Sequence, residues 1–152
     1  MKIPTLRTLH RYFQSSWEVK MLAIKVWIAL GSGRARVCFT SFKSIAEKMG
    51  ESQKETPTES WQDPVYLSQL NKVINSMSRF TPWKSNCFAQ ALAANQLLKK
   101  KEIPHTIYFG VMHSKDGKLK AHAWLRAGDK IVTGSYGHQA YTVTGIFGYL
   151  GK

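Results

Sequence analysis

Apolar positions recur at helical spacing over about residues 6–30: Leu9, Tyr12 and Phe13, then Val19, Leu22, Ala23, Val26, Trp27 and Leu30. Recurrence at i, i+3 and i+4 predicts an amphipathic helix, and Gly31-Ser32-Gly33 reads as its stop. A second helical pattern covers 37–49 through Phe39, Phe42, Ile45, Ala46 and Met49, and Gly50 ends it. Residues 51–63 are polar, contain Pro57, and hold Glu51, Glu55, Glu59 and Asp63 of the nine acidic residues. They read as a linker or mobile loop. A third helix is predicted over about 66–80, with Leu67, Leu70, Val73, Ile74 and Met77 on one face.

The pattern then changes. Ser85 is a candidate N-cap for a helix carrying Cys87, Phe88, Ala91, Leu92, Asn95 and Leu98 and running to Lys101; Ile103-Pro104 breaks it. From His105 the period is two. Strands are predicted over 105–113, 119–126, 130–133 and 141–147, with hairpin turns at Ser114-Lys115-Asp116-Gly117 and Ala127-Gly128-Asp129. Helices, then a cysteine-bearing helix, then an antiparallel meander make an α+β arrangement. The chain divides into a helical region at 1–50, the polar stretch at 51–63 and a core at 64–152. The apolar faces of the first helices need cover and are expected to pack on that core.

Composition narrows the function classes. The 152 residues suit one ordinary domain, or a small one with an appendage. Twenty-two Lys and Arg against nine Asp and Glu give a net charge of +13. These cations are dispersed, and the one dense run, Lys99-Lys100-Lys101, follows a helix whose C-terminus favours cations. No nucleic-acid-binding signature stands out, so the charge points to an acidic partner of another kind and not to nucleic acid. No apolar run approaches the roughly 20 residues of a membrane span, and no secretory signal is recognisable. Cys38 and Cys87 alone make no disulfide framework, which fits a reducing cytoplasm.

Candidate chemistry centres on Cys87. At a helix start, free N–H groups and the positive dipole end favour a thiolate; the alternative is a buried structural cysteine. His122 lies mid-strand in Lys120-Ala121-His122-Ala123-Trp124, where small alanines leave room for a neighbouring element. A cysteine helix pressed on this strand would let the imidazole take the thiol proton. Alone, a strand histidine is more often structural; the combination is more specific than either part. His105 and His113, at strand ends, are expected to face solvent. His138 sits in a glycine-flanked loop, and His10 reads as a helix-surface residue. Zinc is disfavoured because no close-spaced ligand pair exists, and no cofactor or metal is implied. A third group usually orients the imidazole. Asp129 lies beyond His122 across the turn, but a two-residue turn would leave it up to roughly 20 Å along the strand. Thr133, Ser135 or a backbone carbonyl could orient the ring instead, and Asp129 also reads as a turn former beside Gly128.

Phe80-Thr81-Pro82-Trp83-Lys84-Ser85-Asn86-Cys87-Phe88, the following Ala91-Leu92-Ala93-Ala94, and Ala121-His122-Ala123-Trp124-Leu125-Arg126 together resemble the peptidase half of lasso peptide biosynthesis B proteins. It is similar to their standalone form, within the transglutaminase-like cysteine peptidases. The resemblance implies a transglutaminase- or papain-like core that cuts the leader from a ribosomally made precursor peptide. It carries Cys87 over as nucleophile and His122 as general base. The family's third residue is usually an aspartate, at the position where this chain has Gly134; Asp129 is the nearby carboxylate left as candidate acid. The resemblance also implies partners: the precursor's leader, a PqqD-like leader-recognition protein, and the lasso cyclase that uses the freed amine. Two other readings compete. One is a transglutaminase-like acyl transfer through the same pair. The other is a non-catalytic basic module, binding nucleic acid or scaffolding a complex.

Overall fold

The computed structural model describes residues 10, 14–59 and 63–151. Helix α1, Trp17–Phe39, starts where the Ser16 hydroxyl accepts from the Val19 amide. It runs straight through Gly31-Ser32-Gly33, where the sequence predicts a stop. The glycines mark close approach instead. A Cβ on Gly31 would meet the Trp83 ring at 3.1 Å, and one on Gly33 would meet the Ala89 carbonyl oxygen at 2.7 Å. Tertiary contact thus overrides helix propensity here. Val37 to Phe39 accordingly belong to α1, and the second helix, α2, is only Phe42–Met49, capped by Ser41. Helix α3, Pro64–Met77, begins with Asp63 accepting from the Val65 and Tyr66 amides at 3.1 and 3.0 Å. Proline at its first turn loses no intrahelical bond.

Helix α4, Cys87–Lys99, is capped by Asn86 and not by Ser85. Asn86 Oδ1 accepts from the Ala89 amide at 3.1 Å, while the Ser85 hydroxyl pairs with that of Thr81 at 2.8 Å. Five antiparallel strands follow the order β1-β5-β2-β3-β4: Glu51–Ser52 (β1), His105–His113 (β2), Leu119–Ala127 (β3), Lys130–Thr133 (β4) and Thr142–Tyr149 (β5). Two features differ from a simple meander. β5 crosses back to lie beside β2, and β1, from the stretch expected to be linker or loop, pairs with β5 through Glu51↔Gly148 and Ser52↔Phe147. β2, the central strand, is thereby covered on both edges.

Strand alternation sorts the sheet's two faces. Ile107, Ala123, Leu125 and Ala127 join the apolar core with Leu30 of α1, Met49 of α2, Ile74 of α3 and Leu92 of α4. A single core therefore spans the first helices and the sheet. The opposite face carries Tyr108 and Trp124, whose rings stack at 5.5 Å, and buried Arg126. Arg126 donates to the carbonyls of Thr56 (2.8 Å) and Gly128 (2.7 Å) and to the Tyr108 hydroxyl (2.9 Å). It thus ties the segment after β1 to the sheet. Among the described residues no helix is long and apolar enough to cross a membrane.

Candidate active site

Cys87 is the first residue of α4 and is half-buried against the core. The helix behind it is held on several sides: Ala89, Ala91, Leu92 and Ala94 are buried, and Gln90 Nε2 donates to the Ser85 carbonyl at 2.9 Å. Phe88 packs its ring 5.1 Å from that of Phe109. Phe109 pairs across the ladder with Ala123, the neighbour of His122. The start of α4 thus lies over the strand segment that carries His122. The first-turn N–H groups of that helix have no intrahelical acceptor, and that of Ala89 is met by Asn86.

His122 occupies β3 opposite Gly110 of β2. Its Nε2–H donates to the Gly134 carbonyl at 2.8 Å. A carbonyl can only accept, so in the neutral ring the proton sits on Nε2 and the lone pair on Nδ1. That is the tautomer a general base needs. The ring is also clamped by aromatics, 5.0 Å from Tyr141 and 5.8 Å from Trp124. Gly110 is required for this packing, because a Cβ there would come within 2.9 Å of both Trp124 and Tyr141. The alternation that puts Ala123 under α4 turns the His122 ring toward the Trp124 face. Among the described residues no hydrogen bond joins it to Cys87.

Gly134 departs from the aspartate that the resemblance places there, and its surroundings explain why. Its φ of +71° suits glycine, and a Cβ would stand 2.6 Å from the Ala123 carbonyl oxygen and 2.8 Å from Trp124 Cβ. No carboxylate side chain fits. The main-chain carbonyl of the same residue meets the imidazole instead. This is one of the orienting groups the sequence leaves open, although nothing in the sequence singles out residue 134 for it.

The remaining candidates are dispersed. Asp129 is exposed on the two-residue turn between Ala127 and Lys130, and the structure does not bring it to His122. His113 is exposed at the end of β2. His138 lies in a 3-10 turn, where Nδ1 donates to the Ser135 carbonyl at 2.7 Å and the ring packs against Trp124. His105 corrects the solvent-facing expectation, being fully buried. Its Nδ1 donates to the Ile103 carbonyl at 2.8 Å, its Nε2 lies 2.8 Å from the Asn95 side-chain amide, and burial pushes its pKa down to about 4. The signal for this was Asn95, a polar residue in the apolar run of α4. Cys38 is exposed at the end of α1.

No curated protein and no solved structure matches the chain. Residues 29–145 match the transglutaminase-like superfamily core, described as Transglut_core3. The match begins inside α1, takes in Cys87, His122 and Gly134, and ends within β5. The chain belongs to the transglutaminase-like superfamily.

Proposed function

We propose that this protein is a cysteine peptidase that removes the leader from a ribosomally synthesised lasso peptide precursor. The observation that carries the reading is the bond from His122 Nε2 to the Gly134 carbonyl, which leaves Nδ1 as the base on the strand packed beneath the helix that opens with Cys87. In the reaction Nδ1 takes the thiol proton, and Sγ attacks the scissile carbonyl. The imidazolium then protonates the departing amine, and the neutral ring activates water to release the acyl group. The His122 ring stands on the Trp124 face with, among the described residues, no hydrogen bond to Cys87, so the reaction requires a rearrangement that brings Nδ1 to Sγ. The Cys87 amide at the helix start supplies an oxyanion donor. Gly134 takes the orienting role that an aspartate fills in relatives, and Asp129 serves the turn.

The choice of substrate rests on the resemblance of 80–88 and 121–126 to the lasso B peptidases. In that setting a PqqD-like protein presents the leader, and the cyclase consumes the freed amine. Lys20, Lys25, Arg34 and Arg36 on α1 are the proposed docking cations for the recognition partner; unchanged affinity after their reversal to Glu removes this part. The test of activity is mass spectrometry of a precursor incubated with the protein and its recognition partner. Leader release by the wild type and its loss in Cys87→Ala support the reading; cleavage by Cys87→Ala overturns it. The superfamily membership gives weight to a second reading, acyl transfer to an amine. A product carrying the mass of the amine in place of a free carboxylate identifies it.

A further inference from the structure

Helix α1 is apolar on two opposite sides. Leu22, Val26, Ala29, Leu30 and Gly33 are buried in the core. Trp17, Met21, Ile24 and Ile28 fall on the other side, at alternating spacings of four and three residues. That phase makes a narrow seam of the kind by which one helix grips another. Trp17 is 73% exposed, Ile24 48% and Ile28 57%, and Met21 is half-buried. Large apolar side chains contiguous on a surface mark an interaction site, whereas single ones do not. The seam runs about 16 Å, three helical turns. Its far end is walled: the Trp83 ring packs over Gly31, the next seam position, and lies 5.0 Å from the Trp27 ring. Charge frames it. α1 carries Lys20, Lys25, Arg34 and Arg36 against one acid, Glu18, and Lys20 and Lys25 stand on opposite flanks of the seam. Among the described residues no carboxylate pairs with Lys25, Arg34 or Arg36.

We infer that this face of α1 docks an amphipathic helix of a partner protein, one with apolar residues at i, i+3, i+4 and i+7 and Asp or Glu on both flanks. Three features select that occupant. The stripe has the width of a helix–helix seam, whereas a lipid surface takes a broader apolar face. The Trp27–Trp83 wall gives the seam an end, which fixes where a helix can lie. A second copy of the chain would set Lys20 and Lys25 against the same cations, and like charges across an interface repel; acidic flanks meet the two lysines instead. The inference goes beyond cation docking by specifying a helix and an apolar centre, and it does not depend on the peptidase reading. Trp83 precedes Cys87 by four residues, so the docked helix ends against the segment that leads into α4.

The probe is a fluorescein-labelled peptide of three heptads with Ile and Leu at the a and d positions and Glu at e and g. A twin with Lys at e and g is the charge control. Anisotropy titrations against the full-length chain are expected to show saturable binding of the acidic peptide and binding about tenfold weaker or less for its twin. Joint substitution Ile24→Ser and Ile28→Ser is expected to weaken the acidic peptide at least about tenfold. The urea midpoint stays unchanged, because both side chains lie on the exposed face. No saturable binding, equal binding of the two peptides, or an affinity within about twofold of wild type in the double variant overturns the inference. Two rival occupants would also overturn it. If phosphatidylglycerol vesicles and not the peptide bind through these isoleucines, the face meets lipid. If the chain dimerises through them in sedimentation equilibrium, the face meets a second copy.

Discussion

Where the chain enters β2, the polar groups are closed over. His105 uses both ring nitrogens, Thr106 shares a 2.8 Å hydroxyl bond with Thr56, and Arg126 of the adjoining strand bonds to the Thr56 and Gly128 carbonyls. Farther along the same ladder, His122 uses Nε2 alone, its cross-strand partner is glycine, and Ala121 is open to solvent. The two histidines are chemically alike and differ in what surrounds them. Burial with both nitrogens engaged makes one a structural post, held neutral. Partial exposure with a single anchor leaves the other a lone pair to work with.

The sharpest way to break this contrast is to substitute one residue at each end. His122→Gln is expected to lower the proposed peptidase activity roughly 100- to 10,000-fold while thermal unfolding stays near wild type. Activity surviving His122→Gln would end its proposed role as base. At the closed end, Arg126→Met strands buried carbonyls and is expected to cost roughly 3 kcal/mol in urea unfolding; a change within experimental error would show that the segment after β1 is not held by this residue.

The pH dependence of stability sharpens the comparison further. His105 has a folded pKa of about 4, below the ordinary 6.5. Between those values the unfolded chain binds the proton and the folded one does not. Stability is therefore fully present above about pH 6.5 and is lost as pH falls toward 4, by about 3 kcal/mol in all. Urea midpoints across this window, with His105→Gln as the flattened control, measure it. The smallest expected effect belongs to Asp129→Asn, which should leave the pH–rate profile and activity within about twofold, because an exposed turn residue so far along the strand has no route to the ring. A large loss would restore Asp129 as the acid.

Much of this was legible in the chain. Period-two alternation marked His105–His113 and Lys130–Thr133 with their observed limits, and the apolar run after Asn86 placed Cys87 at a helix start. What escaped depended on contacts remote in sequence. Gly31 and Gly33 read as a stop because nothing nearby shows Trp83 or Ala89 crossing them. β1 is two residues long, too short for any periodicity, and exists because β5 offers an edge. His105 looked exposed until α4 brought Asn95 against it. The residue facing His122 was hidden most completely, since a backbone carbonyl has no letter of its own in a sequence.

The tight fit at Gly134 constrains how this lineage can change. Two of the atoms that exclude a Cβ there, the Ala123 carbonyl oxygen and Trp124 Cα, belong to the main chain. Trimming neighbouring side chains cannot remove them. An aspartate at this position therefore demands a different backbone path between β4 and the 3-10 turn, not a single exchange of residues. Descendants that keep this loop inherit glycine with it, and a carboxylate can stand here only with a remodelled loop.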